Sequence, residues 1–168
     1  MTLIVADTAP ICYLVQINYE NLLPRLFARV WIPGAVLREL QQKQTPAIVR
    51  DWAEQFPPWI EVREIARPAS EHEAAGLHRG EWEAIQLAKE LKASLLLMNE
   101  RSGVRVAREQ GLSVTGTLGV LVEAARLHLI SIEEPLVRLA KTNFRRTPGL
   151  FSQTQDLVRK FGRKTDRE

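Results

Sequence analysis

The sequence predicts an α/β fold in which a mainly parallel central sheet is covered by helices on both faces. Two short runs, Leu3–Ala6 and Leu95–Met98, are apolar at every position. Continuous apolar runs of this length are typical of parallel strands that are buried on both sides. Short apolar segments alternate along the chain with longer amphipathic ones, which is the pattern of an α/β protein. At 168 residues the chain is most simply one domain.

Each predicted element has a local cause in the sequence. Apolar runs and alternating patterns predict strands at Leu3–Ala6, Val30–Ile32, Trp59–Glu64, Leu95–Met98 and around Val114. Amphipathic spacing predicts helices from Thr8 onward and at Ala35–Gln42, Ala47–Gln55, Glu81–Leu91, Val104–Gln110, Leu118–Leu127, Pro135–Thr142 and Asp156–Phe161. We expect a loop at Arg67–Ser70 and a turn at Thr147–Gly149. In parallel sheets ligands bind at the carboxyl ends of the strands, so the residues that follow the strands matter most.

Composition restricts the class of protein. The chain is 45% hydrophobic and 26% charged, as in ordinary soluble proteins. No apolar stretch approaches the ~18 residues of a membrane span. The N-terminus lacks the basic region of a signal peptide, and the single cysteine permits no disulfide within the chain. We therefore expect a cytoplasmic protein with no membrane partner.

The charge is distributed unevenly along the chain. The net charge is +3, yet residues 138–168 contain nine Lys and Arg against three Asp and Glu. A basic end of this kind either binds nucleic acid or is a solvated tail, and both interpretations stay open. We place the main domain at residues 1–146 and a basic C-terminal extension, with a short helix, at residues 147–168.

Acidic residues stand where a core normally has none. Asp7 directly follows the apolar run Leu3–Ala6. Glu39 shares a helical face with Val36, and Glu81 is in line with the apolar stripe of its helix. Because isolated buried carboxylates are costly and hard cations prefer oxygen ligands, we expect a Mg²⁺ or Mn²⁺ site. The alternatives are that Asp7 caps a helix and that Glu81 only complements a helix dipole.

The residues that follow the strand Leu95–Met98 are less clear. A further acid at Asn99 would complete a pocket of four carboxylates. Asn99 can contribute an amide oxygen, Glu100 can supply the charge, or the pair serves only to cap a helix. Thr8 and Thr117 also follow predicted strands; each either holds a water or phosphate oxygen or caps a helix, and we favour capping.

Other motif classes find no support. His72, His78 and His128 lack the spacing of metal ligands, and we expect them on the surface.

Glu83 lies ~200° around the helix from Glu81, so we expect it to point away from the site. The chain has no phosphate-binding loop, dinucleotide fingerprint or nucleophile elbow, which argues against ATPases, dehydrogenases and serine hydrolases.

In their order and spacing, several segments together resemble a PIN domain, and they are similar to bacterial and archaeal proteins related to VapC toxins. The resemblance covers roughly Leu3–Lys164 and is carried by Asp7–Pro10, Val36–Leu40, Gly80–Ala88, Leu95–Ala107, Val114–Leu121 and Asn143–Arg145. One position departs from the pattern, because the fourth motif usually supplies an aspartate where this chain has Asn99.

The resemblance implies a PIN-like three-layer α/β/α fold and hydrolysis of RNA phosphodiester bonds, leaving a 5′-phosphate. Asp7, Glu39 and Glu81 would hold Mg²⁺ or Mn²⁺ as catalytic residues, with Asn99 or Glu100 as the last ligand. A basic surface would bind the RNA backbone through Arg101, Arg105, Arg145 and Arg146. Proteins of this kind are typically toxins of type II toxin–antitoxin pairs, so we expect a small antitoxin protein as partner and a homodimer.

Two other functions stay open at the level of the sequence. Because Asn99 replaces an acid, a catalytically degenerate PIN-fold protein that binds RNA or protein is the main alternative. A receiver-like signalling domain would need a second acid beside Asp7 and a lysine at the end of a later strand, and neither is present.

Overall fold

Five parallel strands form the central sheet in the computed structural model, which describes residues 2–66 and 76–165, with side chains up to residue 162. The strands are β1 (Ile4–Ala6), β2 (Val30–Ile32), β3 (Ile60–Val62), β4 (Leu95–Leu97) and β5 (Val114–Thr115). Their order across the sheet is β3-β2-β1-β4-β5, and every neighbouring pair is parallel. The predicted parallel sheet is therefore confirmed.

β1 is the middle strand, and it fixes the position of the residue that follows it. Its three residues have no exposed surface. The N–H of Asp7 donates to the carbonyl oxygen of Leu97 at 2.9 Å, which extends the pairing of β1 with β4 by one residue. The strand order reverses between these two strands, and parallel sheets open a ligand-binding crevice at such a point. Asp7 therefore stands at the mouth of that crevice.

The helices follow the predicted alternation with the strands. They are α1 (Thr8–Gln16), α2 (Leu22–Phe27), α3 (Gly34–Leu40), α4 (Ala47–Glu54), α5 (Arg79–Glu90), α6 (Arg101–Glu109), α7 (Thr117–Arg126), α8 (Glu133–Ala140) and α9 (Leu150–Thr165). Among the described helices, none has the length and apolarity needed to cross a membrane.

Some helix boundaries differ from those expected. α2 was not predicted, because a segment of six residues that contains a proline gives no clear helical pattern. Pro24 lies in the first turn of α2, where proline is tolerated. α6 begins at Arg101 rather than Val104, and α9 begins at Leu150 rather than Asp156. The predicted loop at Arg67–Ser70 and the residue His72 lie outside the described residues.

α5 covers one face of the sheet. Its buried side chains, Trp82 and Ile85 among them, form one apolar cluster with Val5, Leu96 and Met98. Ile4 lies on the opposite face of β1 from Val5, because side chains alternate along a strand, and it is equally buried. The sheet is thus covered on both faces, which gives the three layers of an α/β/α fold.

The chain divides into two compact units, residues 1–117 and 118–168. The first contains the whole described sheet. In the second, the rings of Phe144 and Phe151 stack with 6.3 Å between their centroids, and the guanidinium of Arg146 lies 4.8 Å from the centroid of Phe151. The boundary at residue 146 that we expected from the sequence stays a prediction.

Candidate metal centre

A cleft of about 490 Å³ collects four carboxylates at the carboxyl end of the sheet. Asp7 follows β1, Glu39 lies on α3, Glu81 lies in the first turn of α5, and Glu100 precedes α6. The other lining residues are Thr8, Ala9, Gln42, Thr45 and His78. The fold therefore brings together side chains that are up to 93 positions apart in sequence. His78 is exposed as expected, but its place beside the acids was not foreseen.

Asp7 is the most constrained of the four acids. Only 4% of its surface is exposed, and its Oδ1 atom has no hydrogen-bond partner among the described residues. Burial raises the pKa of Asp7 from 3.8 to about 7, although a backbone hydrogen bond from Thr8 opposes the shift. The nearby carboxylates of Glu39, Glu81 and Glu100 raise this pKa further. An ionised Asp7 therefore lacks enough positive charge or hydrogen-bond donors around it.

Glu81 shows the same effect to a lesser degree. Its side chain is buried, and Oε2 accepts a hydrogen bond from the backbone N–H of His78 at 3.3 Å. Burial raises the pKa of Glu81, and the charges of Glu100 and Glu39 add to the increase. The backbone N–H and the imidazole of His78 act in the opposite direction. The two most buried acids of the cleft are thus both harder to ionise than usual.

Glu39 is held between the N-termini of two helices. Its Oε2 atom accepts a hydrogen bond from the hydroxyl of Thr8, and its Oε1 atom accepts one from the N–H of Gly80 at 3.2 Å. A Cβ atom at position 80 would overlap with Glu39 Oε1, so glycine permits this approach. Thr8 is the first residue of α1, and its side chain does not cap that helix. The expectation that Thr8 is a capping residue is therefore wrong.

The four carboxylates line the cleft without forming a compact set of ligands. Within the described ranges, no three Asp, Glu, His or Cys side chains form a group that could hold a metal. Both carboxylate oxygens of Glu39 and one of Glu81 accept hydrogen bonds from protein donors. The donor set nevertheless fits a hard cation, because it is entirely oxygen and includes the unpartnered Oδ1 of Asp7. Each carboxylate oxygen has a second lone pair, so Glu39 and Glu81 can accept these hydrogen bonds and still coordinate an ion.

Asn99 uses its amide elsewhere. Its Oδ1 atom accepts a hydrogen bond from the N–H of Thr117, and its Nδ2 atom donates to the hydroxyl of Thr117, both at 2.9 Å. Thr117 is the first residue of α7 and is 1% exposed. Asn99 thus satisfies an N–H at the start of that helix. Asn99 does not line the acidic cleft in this arrangement, whereas Glu100 does.

A second groove, of about 440 Å³, runs beside the acidic cleft along α6. It is lined by Asn99, Arg101, Val104, Arg105, Arg108 and Glu109. The three arginines are exposed and lie on one face of the helix at spacings of four and three residues. Arg108 was not among the residues expected from the sequence. Arg145 and Arg146 are exposed residues of the second compact unit.

Glu83 was also missed. It lies outside the acidic cleft, as expected, but only 1% of its surface is exposed. Its Oε2 atom accepts a hydrogen bond from the N–H of Ala35 at 2.9 Å, and its Oε1 atom accepts one from Arg79 at 3.2 Å. Arg38 lies 3.9 Å from the same Oε1 atom. Spacing along α5 cannot distinguish a glutamate that contacts another helix from one on the surface.

A family model described as a PIN domain matches residues 3–160. The chain belongs to the PIN-domain family. No curated protein and no solved structure matches the chain. PIN domains are commonly nucleases and generally use divalent metals. An acidic cleft at the carboxyl ends of β1 and β4 in this PIN domain agrees with both properties.

The burial of Asp7 predicts an unusual dependence of stability on pH in the metal-free PIN domain. The folded state binds the Asp7 proton more tightly than the unfolded state between pH 3.8 and about 7. The free energy of unfolding therefore falls as the pH rises through this window, and the full cost, on the order of 4 kcal/mol, is present above it.

We expect Asp7→Asn to remove this cost, because the amide is neutral and can donate to the neighbouring carboxylates. Urea denaturation of the metal-free protein at pH 5 and pH 8 measures the effect. The variant should be more stable than the wild type at pH 8, with a smaller difference at pH 5. An Asp7→Asn protein that is less stable than the wild type at pH 8 contradicts this explanation.

Proposed function

We propose that this PIN domain is a Mg²⁺- or Mn²⁺-dependent endoribonuclease. The observation that supports the proposal most strongly is Asp7, whose buried Oδ1 atom has no partner among the described residues and whose pKa is raised to about 7. Keeping three further carboxylates around such a group destabilises the protein. A divalent cation is the simplest species that reverses this cost, because its charge stabilises all four acids.

The carboxylates have distinct roles in this proposal. Asp7 and Glu81, the buried pair, would hold the ion, and Glu39 and Glu100 would hold it directly or through water. The chemistry that Mg²⁺ or Mn²⁺ supplies is activation of a water and stabilisation of charge on the phosphate oxygens. Thr8 orients the carboxylate of Glu39 through its hydroxyl. Hydrolysis in line would leave a 5′-phosphate on the product.

The groove along α6 supports RNA as the substrate. Arg101, Arg105 and Arg108 span about 10 Å of the helix, and no ion pair neutralises them within residues 2–66 and 76–162. A row of free guanidinium groups beside the acidic cleft suits a phosphodiester backbone, which arginine binds with paired N–H donors. Arg145 and Arg146 are proposed as further backbone contacts because they belong to the basic end of the chain.

We place the protein among the VapC-like toxins of type II toxin–antitoxin pairs. The support for this is the order of the motifs in the sequence, including Val114–Leu121, which is distinctive for that branch. A small antitoxin protein as partner, a homodimer and a cytoplasmic location belong to the same proposal. Copurification of a small protein encoded beside this chain would be the corresponding test.

Loss of the buried acids should abolish RNA cleavage. We expect Asp7→Asn and Glu81→Gln each to reduce Mn²⁺-dependent cleavage of a labelled RNA by roughly 100-fold or more, because the ion then loses a charged ligand. Glu90→Gln is the matched control, since Glu90 also lies on α5 and accepts a backbone hydrogen bond but is exposed. Mass spectrometry of the product ends should detect a 5′-phosphate.

The same assay can reject the proposal. Wild-type protein that cuts no RNA with Mn²⁺ or Mg²⁺, or variants that cut as fast as the wild type, would rule out a metal-dependent nuclease at this cleft. RNA binding without cleavage, independent of Asp7, would instead support the degenerate binding module. That alternative is favoured by one observation, the engagement of Asn99 with Thr117.

Glu100, rather than Asn99, should supply the fourth ligand. We expect Glu100→Gln to weaken Mn²⁺ binding by about 10-fold, since ligand charge sets the affinity of such sites. Asn99→Asp should leave the affinity within about 3-fold of the wild type, because its carboxylate can still accept both donors of Thr117. Calorimetric titration measures both. A large gain in affinity from Asn99→Asp would show that position 99 is the ligand.

Neutralising the groove along α6 should weaken RNA binding without changing the chemistry of the cleft. We expect Arg105→Ala and Arg108→Ala each to reduce the slope of log affinity against log salt concentration by about 0.7 for single-stranded RNA. Arg25→Ala, on the exposed side of α2, is the control. Binding is measured by fluorescence anisotropy without metal. If the salt dependence of RNA affinity has the same slope in Arg105→Ala, Arg108→Ala and the control Arg25→Ala, the groove is excluded as the RNA site.

A further inference from the structure

Helices α3 and α5 each cap the N-terminus of the other with a glutamate. Glu83 of α5 accepts a hydrogen bond from the N–H of Ala35 in the first turn of α3, at 2.9 Å. Glu39 of α3 accepts one from the N–H of Gly80 in the first turn of α5, at 3.2 Å. First-turn N–H groups have no partner within their own helix, so each glutamate satisfies a donor that would otherwise lack one. We call these two bonds the α3–α5 brace.

The two ends of the brace differ in their surroundings. Glu83 is 1% exposed and lies outside the acidic cleft, whereas Glu39 is half-buried and lines it. The short α3 carries Glu39 at its sixth position, so a shift of the helix start moves this carboxylate. Gly80 has no Cβ atom that would overlap with the Glu39 carboxylate, so its N–H can reach Glu39 Oε1. The position of Glu39 therefore depends on where α3 begins.

We propose that Glu83 is a positioning residue that fixes α3 through Ala35 and so holds Glu39 at the acidic cleft. This inference rests on the proposed metal-dependent function, because it assigns Glu83 a role in cation binding without contact to the ion. The buried carboxylate of Glu83 interacts with two arginines and a backbone N–H. Breaking these interactions would leave a buried charge without partners, which is costly, so Glu83 holds the start of α3 in place. Groups that orient metal ligands commonly affect the affinity for the metal without contacting it.

The first test is Mn²⁺ affinity, measured by calorimetry. We expect Glu83→Ala to weaken binding about 10-fold to 100-fold, the range typical for groups that orient a ligand. Glu83→Gln should restore affinity to within about 3-fold of the wild type, because its amide oxygen can accept from Ala35 while the exposed Arg79 turns away. If Glu83→Ala fails to fold, a folded Glu83→Gln protein that binds Mn²⁺ much more weakly than the wild type contradicts positioning through Ala35.

Two controls separate positioning from a general loss of stability. Glu90→Ala removes an exposed carboxylate of the same helix that accepts a hydrogen bond from the backbone N–H of Ala66. Leu23→Ala destabilises the core through α2, which contributes no lining residue to the cleft. Both should retain wild-type affinity for Mn²⁺. Equal weakening in Leu23→Ala and Glu83→Ala, or no weakening in Glu83→Ala, overturns the inference.

The second test needs no metal. Amide hydrogen exchange by NMR should show faster exchange of Gly80 in Glu83→Ala, although Glu83 does not bind that amide. The reason is that α3 shifts and Glu39 no longer reaches Gly80. Unchanged exchange at Gly80 overturns the coupling. If the wild type binds no Mn²⁺, the proposed function fails, and the exchange rate of Gly80 alone then decides whether the brace positions Glu39.

Discussion

A carboxylate that cannot be fully satisfied by the protein stands at the centre of this fold. Asp7 follows the middle strand, and its N–H pairs with Leu97, so neither its backbone nor its buried side chain can move to water without breaking the sheet. The three other acids of the cleft reach it from α3, α5 and the residue after β4, and their charges raise its pKa. The surrounding helices hold like charges together at a cost in stability. Proteins keep such costly arrangements at sites that bind or react.

The parallel topology explains why these acids meet. Each of Asp7 and Glu100 follows a strand that ends at the same edge of the sheet, at the point where the strand order reverses. Glu39 and Glu81 come from helices that cap one another through Ala35 and Gly80. The ends of two strands and two helices therefore contribute two carboxylates each to the cleft, and the shape of the cleft depends on the relative position of α3 and α5.

Sequence patterns predicted the sheet and most of the helices, because continuous apolar strands and amphipathic helices are local signals. They also indicated Asp7 as a candidate site residue, since an acid rarely follows a buried apolar strand directly. They did not distinguish Asn99 from Glu100, because which of two adjacent side chains enters a cleft depends on the following turn. The role of Glu83 was not predictable either, since its partner Ala35 is 48 residues away and only the folded chain brings the two together.

Calorimetric titration of Mn²⁺ into the wild-type protein and into Asp7→Asn tests the central claim most directly. We expect binding by the wild type and a loss of affinity of about 100-fold or more in the variant, which circular dichroism should show to be folded. A folded variant that has lost binding separates the charge of Asp7 from its contribution to the structure. Equal binding by both proteins, or no binding by the wild type, would contradict the assignment of this cleft as a metal centre.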